Sequence, residues 1–319
     1  MDTYFIRHKF PGDEKDLCDA RRIAIRFENH RILGKQTDLN PDWFRGLSPR
    51  YASTYRSALN YMIRLRDQGG YVFAEYGGGY IGKHRHRDIG CILARIKPQD
   101  QFDVFNASAN DFTYQVALKL DPSSVGYIRY SEFPVLLAIR PPYSTICRPS
   151  RTYPQIAAAF FNRERLPATE ALELMHPKMV EQLCVEYLRR RGHENDLLDY
   201  CTLRPGKSLA IIDIAGRLSS KRWLFAQVKN ASLSANYSSE LASQLESFIG
   251  ESIGDNAVGV LFGKFEGAQN YDGPISFVDL KEVFQYFRKQ QKAVLEDMIG
   301  FGAVETDDGP IPMDVDWAG

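Results

Sequence analysis

Three side chains between residues 213 and 229 have the types and spacing of a hydrolytic metal site. Within residues 208–230 (SLAIIDIAGRLSSKRWLFAQVKN) an apolar run, Leu209, Ala210, Ile211 and Ile212, ends on the carboxylate of Asp213. A short basic turn follows, and a second apolar run ends in Gln227-Val228-Lys229. β-branched and aromatic residues in period-2 alternation predict two strands joined by a turn. Successive strand side chains point to opposite faces, so Trp223, Phe225, Gln227 and Lys229 share one face and Leu224, Ala226 and Val228 the other. A neutral oxygen ligand and an ammonium then lie side by side at one strand end, across the turn from Asp213. Mg²⁺ prefers hard oxygen ligands and keeps several waters, so a carboxylate and an amide oxygen suit it. Mn²⁺ accepts the same oxygens. The lysine can orient or deprotonate the attacking water and offset the charge that builds on phosphorus. Metal-dependent phosphodiester cleavage needs this set. Lys and Gln also close many surface strands with no chemistry attached, so the elements around them have to decide.

Those elements run in a recognisable order. Residues 177–188 form an amphipathic helix with Val180, Leu183, Cys184, Tyr187 and Leu188 on its apolar stripe, and Gly192 is its stop. Glu181 sits on the edge of that stripe, turned toward the sheet, whereas Glu186 falls near the opposite face with Arg189 and Arg190. A helix over 237–249 carries Leu241, Leu245 and Phe248 on one face. Strands at 257–262 and 275–278 follow, and a last helix runs from 279 to about 298. The predicted order is α-β-β-α-β-β-α.

With Ile212-Asp213, the turn and the strand ending in Gln227-Val228-Lys229, the segment resembles the core of the PD-(D/E)xK nuclease superfamily, in the variant where glutamine precedes xK. Its likeness is to the Mrr-type restriction endonucleases, over roughly residues 174–287, a little over a third of the chain. The resemblance implies an α/β domain, a mixed sheet flanked by helices, that cuts DNA with Mg²⁺. It implies Asp213 and Gln227 as metal ligands and Lys229 as the residue that positions and activates water. In the resembled family a helix glutamate adds a metal or water contact, and Glu181 is the position that matches it. Glutamine removes one negative charge from the metal shell, so Mg²⁺ should bind less tightly and draw on a DNA phosphate to complete its shell. The implied role is restriction of foreign or modified double-stranded DNA. Cutting both strands needs two active sites, hence a homodimer or a DNA-bridged pair.

The first half reads differently. Strands are expected at 3–9, 22–27, 71–76, 91–96, 113–118 and 135–139, with one helix in 43–65 where Tyr51, Tyr55, Leu59, Met62 and Leu65 recur at helical spacing. This is a compact, β-rich α+β domain. The pattern FIRH, IAIRFE and YVFAEY…GYIGK resembles PUA-like domains of the EVE and SRA kind. That likeness implies a small β-barrel reading a modified base, flipped between aromatic side chains. Phe27, Trp43, Tyr51 and Tyr76 are of the right type, and each would serve equally as a core residue. The basic run Lys83-His84-Arg85-His86-Arg87 suits a loop that meets DNA phosphates and equally a solvated turn. Gly77 to Lys83 (GGGYIGK) matches part of a phosphate-binding loop but lacks the following Ser or Thr and the helix, so a glycine-rich hairpin is expected.

At 319 residues the chain is long enough for two domains, and 44% hydrophobic with 25% charged residues is the balance of a globular protein. The expected layout is a recognition domain over 1–147, a linker with a short helix over 148–170, a nuclease domain over 171–300, and a disordered acidic tail over 301–319. The net charge of zero is unevenly spread. Residues 1–150 hold 22 Lys+Arg against 16 Asp+Glu (+6), and the remainder 18 against 24 (−6). A basic first half suits phosphate contacts and an ordinary surface alike. Five cysteines without CxxC spacing point to neither zinc nor a disulfide framework, and no apolar run reaches membrane-spanning length, so a cytoplasmic protein without a membrane partner is expected. Two other readings stay open: a nucleic-acid-binding protein whose nuclease-like fold does no turnover, and a nuclease of RNA or branched DNA.

Overall fold

The computed structural model describes residues 1–8, 13–27, 49–77, 80–81, 84–85, 90–106, 114–141, 145–149, 152–167, 175–203, 211–252, 256–267, 269, 271–299, 302–313 and 315–316. The chain divides into two compact units, Met1–Leu174 with Gly300–Gly319, and Met175–Ile299. No helix among the described residues is long and apolar enough to cross a membrane.

The first unit holds β1 (Thr3–His8), β2 (Arg22–Phe27), β3 (Gly70–Tyr76), β4 (Tyr80–Ile81), β5 (His84–Arg85), β6 (Gly90–Ile96), β7 (Asp103–Asn106), β8 (Tyr114–Lys119), β9 (Gly126–Arg129), β10 (Ile146–Cys147) and β11 (Leu166–Pro167). β10-β1-β3-β6-β9 form the body of one sheet, and β2-β8-β7 form another. β1 runs parallel to β3, which is antiparallel to β6. β1 is buried along its whole length, as an inner strand must be. The helix Pro49–Gln68 lays Leu59, Met62 and Leu65 into the core with Tyr4, Val72 and Ile96. On the opposite face of β3, Glu75 is buried with partners for its charge: Arg7 Nε at 2.6 Å, Arg140 Nε and Nη2 at 2.6 and 2.7 Å, and the Tyr130 hydroxyl. A buried carboxylate persists only when paired and hydrogen-bonded in this way. Among the described residues the strand pairings form open paths.

Three expectations are corrected here. Residues 135–139 are not a strand; the helix Pro134–Ala138 occupies them, because Pro134 at its first turn presets a helical φ and a five-residue apolar run is ambiguous by periodicity. Residues 148–170 are not a free linker. The helix Thr152–Asn162 belongs to the first unit, with the Tyr153 ring edge-on to Phe5 (5.6 Å) and Phe73 (4.8 Å). The described residues of the tail, 302–313 and 315–316, are not disordered either. β17 (Ala303–Thr306) and β18 (Gly309–Pro312) form a hairpin that β17 joins to β9, and β19 (Val315–Asp316) runs parallel to β11. Its acids, which composition reads as a disorder signal, meet bases of the first half: Asp307 pairs with Arg21 (2.5 Å) and Glu305 with Arg129 (2.7 Å).

In the second unit β12 (Leu198–Leu203), β13 (Ile214–Leu218), β14 (Trp223–Ser234), β15 (Ala257–Glu266) and β16 (Ile275–Asp279) form one five-stranded sheet in that spatial order. The first three are antiparallel neighbours, and β14, β15 and β16 are parallel. The helix Ala235–Ser252 makes the crossover that parallel β14 and β15 require. Both faces are covered. Leu261 packs with Leu241 and Leu245 of that helix, while its neighbour Phe262 meets Tyr187 of the helix Pro177–Arg191 edge-on at 6.4 Å. The result is a mixed α/β sheet between helices. It has one strand more than expected, β12, whose sequence LDYCTL lies at the sheet edge, largely unburied. The expected last helix is two, Leu280–Gln290 and Lys292–Ile299, broken at Gln291 (φ −146°, ψ 46°).

Candidate active site

Asp213 stands immediately before β13 rather than at the end of a preceding strand. Ile211 and Ile212 lead into it irregularly, and the strand proper is Ile214–Leu218, because those residues have pairing partners on both sides, β12 and β14. Two bonds fasten Asp213 to β14: its N–H donates to Ala226 O at 3.0 Å, and its Oδ2 accepts the Val228 N–H at 2.8 Å. These bonds bracket Gln227. A strand N–H points in the plane of its sheet, so the Asp213 carboxylate lies near that plane.

Gln227 is 2% exposed, and its Oε1 has no hydrogen-bond donor. It lies in register with Leu261, on the face that the helix Ala235–Ser252 covers. A buried acceptor left unmet costs on the order of 1–3 kcal/mol, so this oxygen is built for a partner that the protein alone does not supply. Lys229, half-buried, follows at the point where the ladder breaks. Val228 pairs with Phe262 and Ser232 with Lys264, so Lys229, Asn230 and Ala231 lie opposite the single residue Gly263. Such a bulge re-aims side chains, and strict alternation past Val228 does not hold. No sequence signal marks the bulge.

Glu181 comes from the helix on the opposite face, in its second turn. His176 caps that helix, Nδ1 accepting the Lys178 N–H at 3.2 Å, and Gly192 ends it at φ +67°. Burial pushes the Glu181 carboxyl up, the Asp213 charge adds to this, and Lys178 and Lys229 pull it back. Glu181, Asp213 and Lys229 therefore share one electrostatic neighbourhood. Cys184, a turn further on, lies in it as well: burial pushes its thiol well up, with Glu181 and Asp213 adding. Glu186 is turned away and pairs with Arg189 at 2.6 Å, as the helical spacing predicts.

The donor set can be tested against a divalent cation. Among the described residues no cluster of three His, Cys, Asp or Glu stands ready for a metal. Two carboxylates, Asp213 and Glu181, lie within electrostatic reach of each other at this end of the sheet, and the unmatched amide oxygen of Gln227 belongs to the strand to which Asp213 is bonded. These are hard oxygen donors, the type that Mg²⁺ or Mn²⁺ takes.

The nucleic-acid candidates of the first half fare differently. Trp43, Lys83 and Arg87 lie outside the described residues. Tyr51 is on the helix Pro49–Gln68 and Arg85 on β5, with neither side chain described. β4 and β5 pair as a hairpin, as the glycine-rich segment predicts. Tyr76 is a core residue, stacked on His8 at 4.6 Å with its hydroxyl donating to Arg22 O at 2.6 Å. The Phe27 side chain is outside the described set.

The chain matches no sequence-family model and no curated protein. Among solved structures it is similar to the MspJI restriction endonuclease in complex with a 27-mer oligonucleotide, at 12% identity over 92% of this chain and 79% of that one, with a TM-score of 0.26. It is also similar to an EndoMS–dsDNA complex, at 13% identity over 65% and 63% with a TM-score of 0.21. A repair endonuclease from Pyrococcus abyssi aligns at 12% identity over 84% and 96% with a TM-score of 0.19. Superpositions this loose carry no argument for this chain, and the functional reading rests on the site itself.

Proposed function

We propose that this chain is a Mg²⁺-dependent endonuclease of double-stranded DNA, with the site around Asp213 as its catalytic centre. One observation carries the proposal. Asp213 bonds through its N–H and its carboxylate to the residues on either side of Gln227, on the strand that also bears Lys229, and the Gln227 amide oxygen is buried without a donor. When bound, the cation supplies charge neutralisation at the phosphoryl oxygens and a water of lowered pKa. Asp213 and Gln227 would hold it, with Glu181 as a helper. Lys229 presents an ammonium to the attacking water and the phosphate. Water oxygen forms the new bond to phosphorus in line with the P–O bond that breaks, and the departing sugar oxygen takes up a proton. The first unit is the DNA reader in this proposal, a modified base its target, and restriction of foreign DNA in a cytoplasm its role. Two copies, as a homodimer or a pair bridged by DNA, would cut both strands.

The test is cleavage of phage DNA bearing unmodified cytosine, 5-methylcytosine or 5-hydroxymethylcytosine, with Mg²⁺ or EDTA. Cutting that needs Mg²⁺, is absent from Lys229→Ala by at least about a hundredfold, and persists as binding in that variant, is the expected outcome. Metal-dependent cutting indifferent to modification would remove the base reader alone. Binding without cutting of any DNA or RNA would make the fold a scaffold, and cutting confined to RNA or branched DNA would move the substrate.

A further inference from the structure

The break in β14 exposes one residue to the site that neither motif nor spacing marks. Asn230 sits in the bulge, directly after Lys229 and opposite Gly263. Its Nδ2 donates to the Met175 carbonyl, a long bond of 3.5 Å, one residue before the cap of the helix that carries Glu181. That bond orients the amide: turned over, Asn230 would face the Met175 carbonyl with an oxygen. Its Oδ1 is consequently directed away from Met175, and it is buried without a donor. Two amide oxygens without donors, Gln227 Oε1 and Asn230 Oδ1, thus come from the strand on either side of Lys229, whose charge acts on the Glu181 carboxyl. The neighbourhood has a surplus of acceptors. A cation with its bound waters is the partner that satisfies several acceptors at once.

We infer that Asn230 is a positioning residue of this site, its Oδ1 accepting a hydrogen bond from the water shell of the divalent cation while its Nδ2 ties the Lys229 strand to the root of the Glu181 helix. The inference rests on the metal site of the proposed function and adds a residue to it.

Calorimetric titration of the full chain with Mn²⁺ alone, without DNA, tests it. Removing a partner of a metal's shell typically lowers affinity about 10- to 100-fold. Asn230→Ala is expected to weaken Mn²⁺ binding by about tenfold, and Asn230→Asp, which keeps an oxygen there and adds a charge, to restore or tighten it. Asp213→Ala marks complete loss. Asn230→Ser serves if the alanine variant does not fold. A lowered melting temperature with unchanged Mn²⁺ affinity would make Asn230 merely structural and overturn the inference. If the wild type binds Mn²⁺ and cuts DNA while both smaller variants keep full affinity, the inference falls and the proposed function stands. If the wild type binds no Mn²⁺ and cuts no DNA in its presence, both fall.

Discussion

At the scale of single residues, Glu181 is the group whose state reports the condition of the site. Its carboxyl is held above the ordinary value, first by burial and then by Asp213. A carboxyl with a raised folded-state pKa binds its proton more tightly folded than unfolded. Folding stability therefore falls as pH rises through the interval between the unfolded value, about 4.5, and the raised one. Glu181→Gln removes the charge that burial disfavours. In the metal-free protein the melting temperature of the variant relative to wild type is expected to rise as pH increases above about 4.5. Saturating Mg²⁺ should shrink the difference, because a cation compensates the ionised carboxylate. A gap that stays flat with pH would show that Glu181 is ordinarily solvated. Asp213, Gln227 and Lys229 could be singled out in the sequence, since a carboxylate, an amide and an ammonium ending apolar runs form a pattern of residue types. Asn230 was not, because its relevance lies in an unmatched oxygen, and hydrogen-bond satisfaction is a property of packing.

At the scale of elements, the bulge in β14 is what distinguishes this sheet from the regular pair of strands that alternation predicts. Gly263 makes it feasible. A Cβ there would lie 2.5 Å from Leu233 Cδ1 and 3.1 Å from Phe265 Cε1. Leu233 is fully buried and has little room to yield. Gly263→Ala is expected to cost about 1–3 kcal/mol, typical of overpacking. Chemical denaturation measures that cost, and a change below about 0.5 kcal/mol, the range of neutral surface substitutions, would mean that the bulge has slack. The helices Pro177–Arg191 and Ala235–Ser252 were readable from the one apolar face each buries, and β14 and β15 from apolar runs buried on both faces. β12 was missed because an edge strand buries little and so lacks a clear hydrophobic alternation.

At the scale of the whole molecule, the return of the C-terminal segment to the first unit is the main surprise. β17 closes on β9, and Val304, fully buried, fills the space that Gly126 leaves open: a Cβ on Gly126 would come within 2.5 Å of Val304 Cγ1 and 2.8 Å of Phe160 Cζ. Truncation after Gly302 removes this hairpin, the buried Val304 and the Arg21–Asp307 pair. Losing a buried aliphatic side chain alone costs roughly 2 kcal/mol or more, so the truncated chain should melt several degrees lower. An unchanged melting temperature would return the tail to the frayed terminus that its composition predicts.

Local pattern determined what local forces decide: which segments are helix or strand, and which residue types cluster at 213–229 as a hydrolytic set. Those signals survive in one dimension because alternation and helical spacing reflect a single buried face. Tertiary structure alone decided that the acidic tail is a sheet edge, that Asp213 binds the Val228 backbone, and that Gln227 and Asn230 keep unpaired oxygens beside Lys229. Each of these depends on which distant groups meet, and a strand, a carboxylate or an amide finds its partner only after the chain has closed around it.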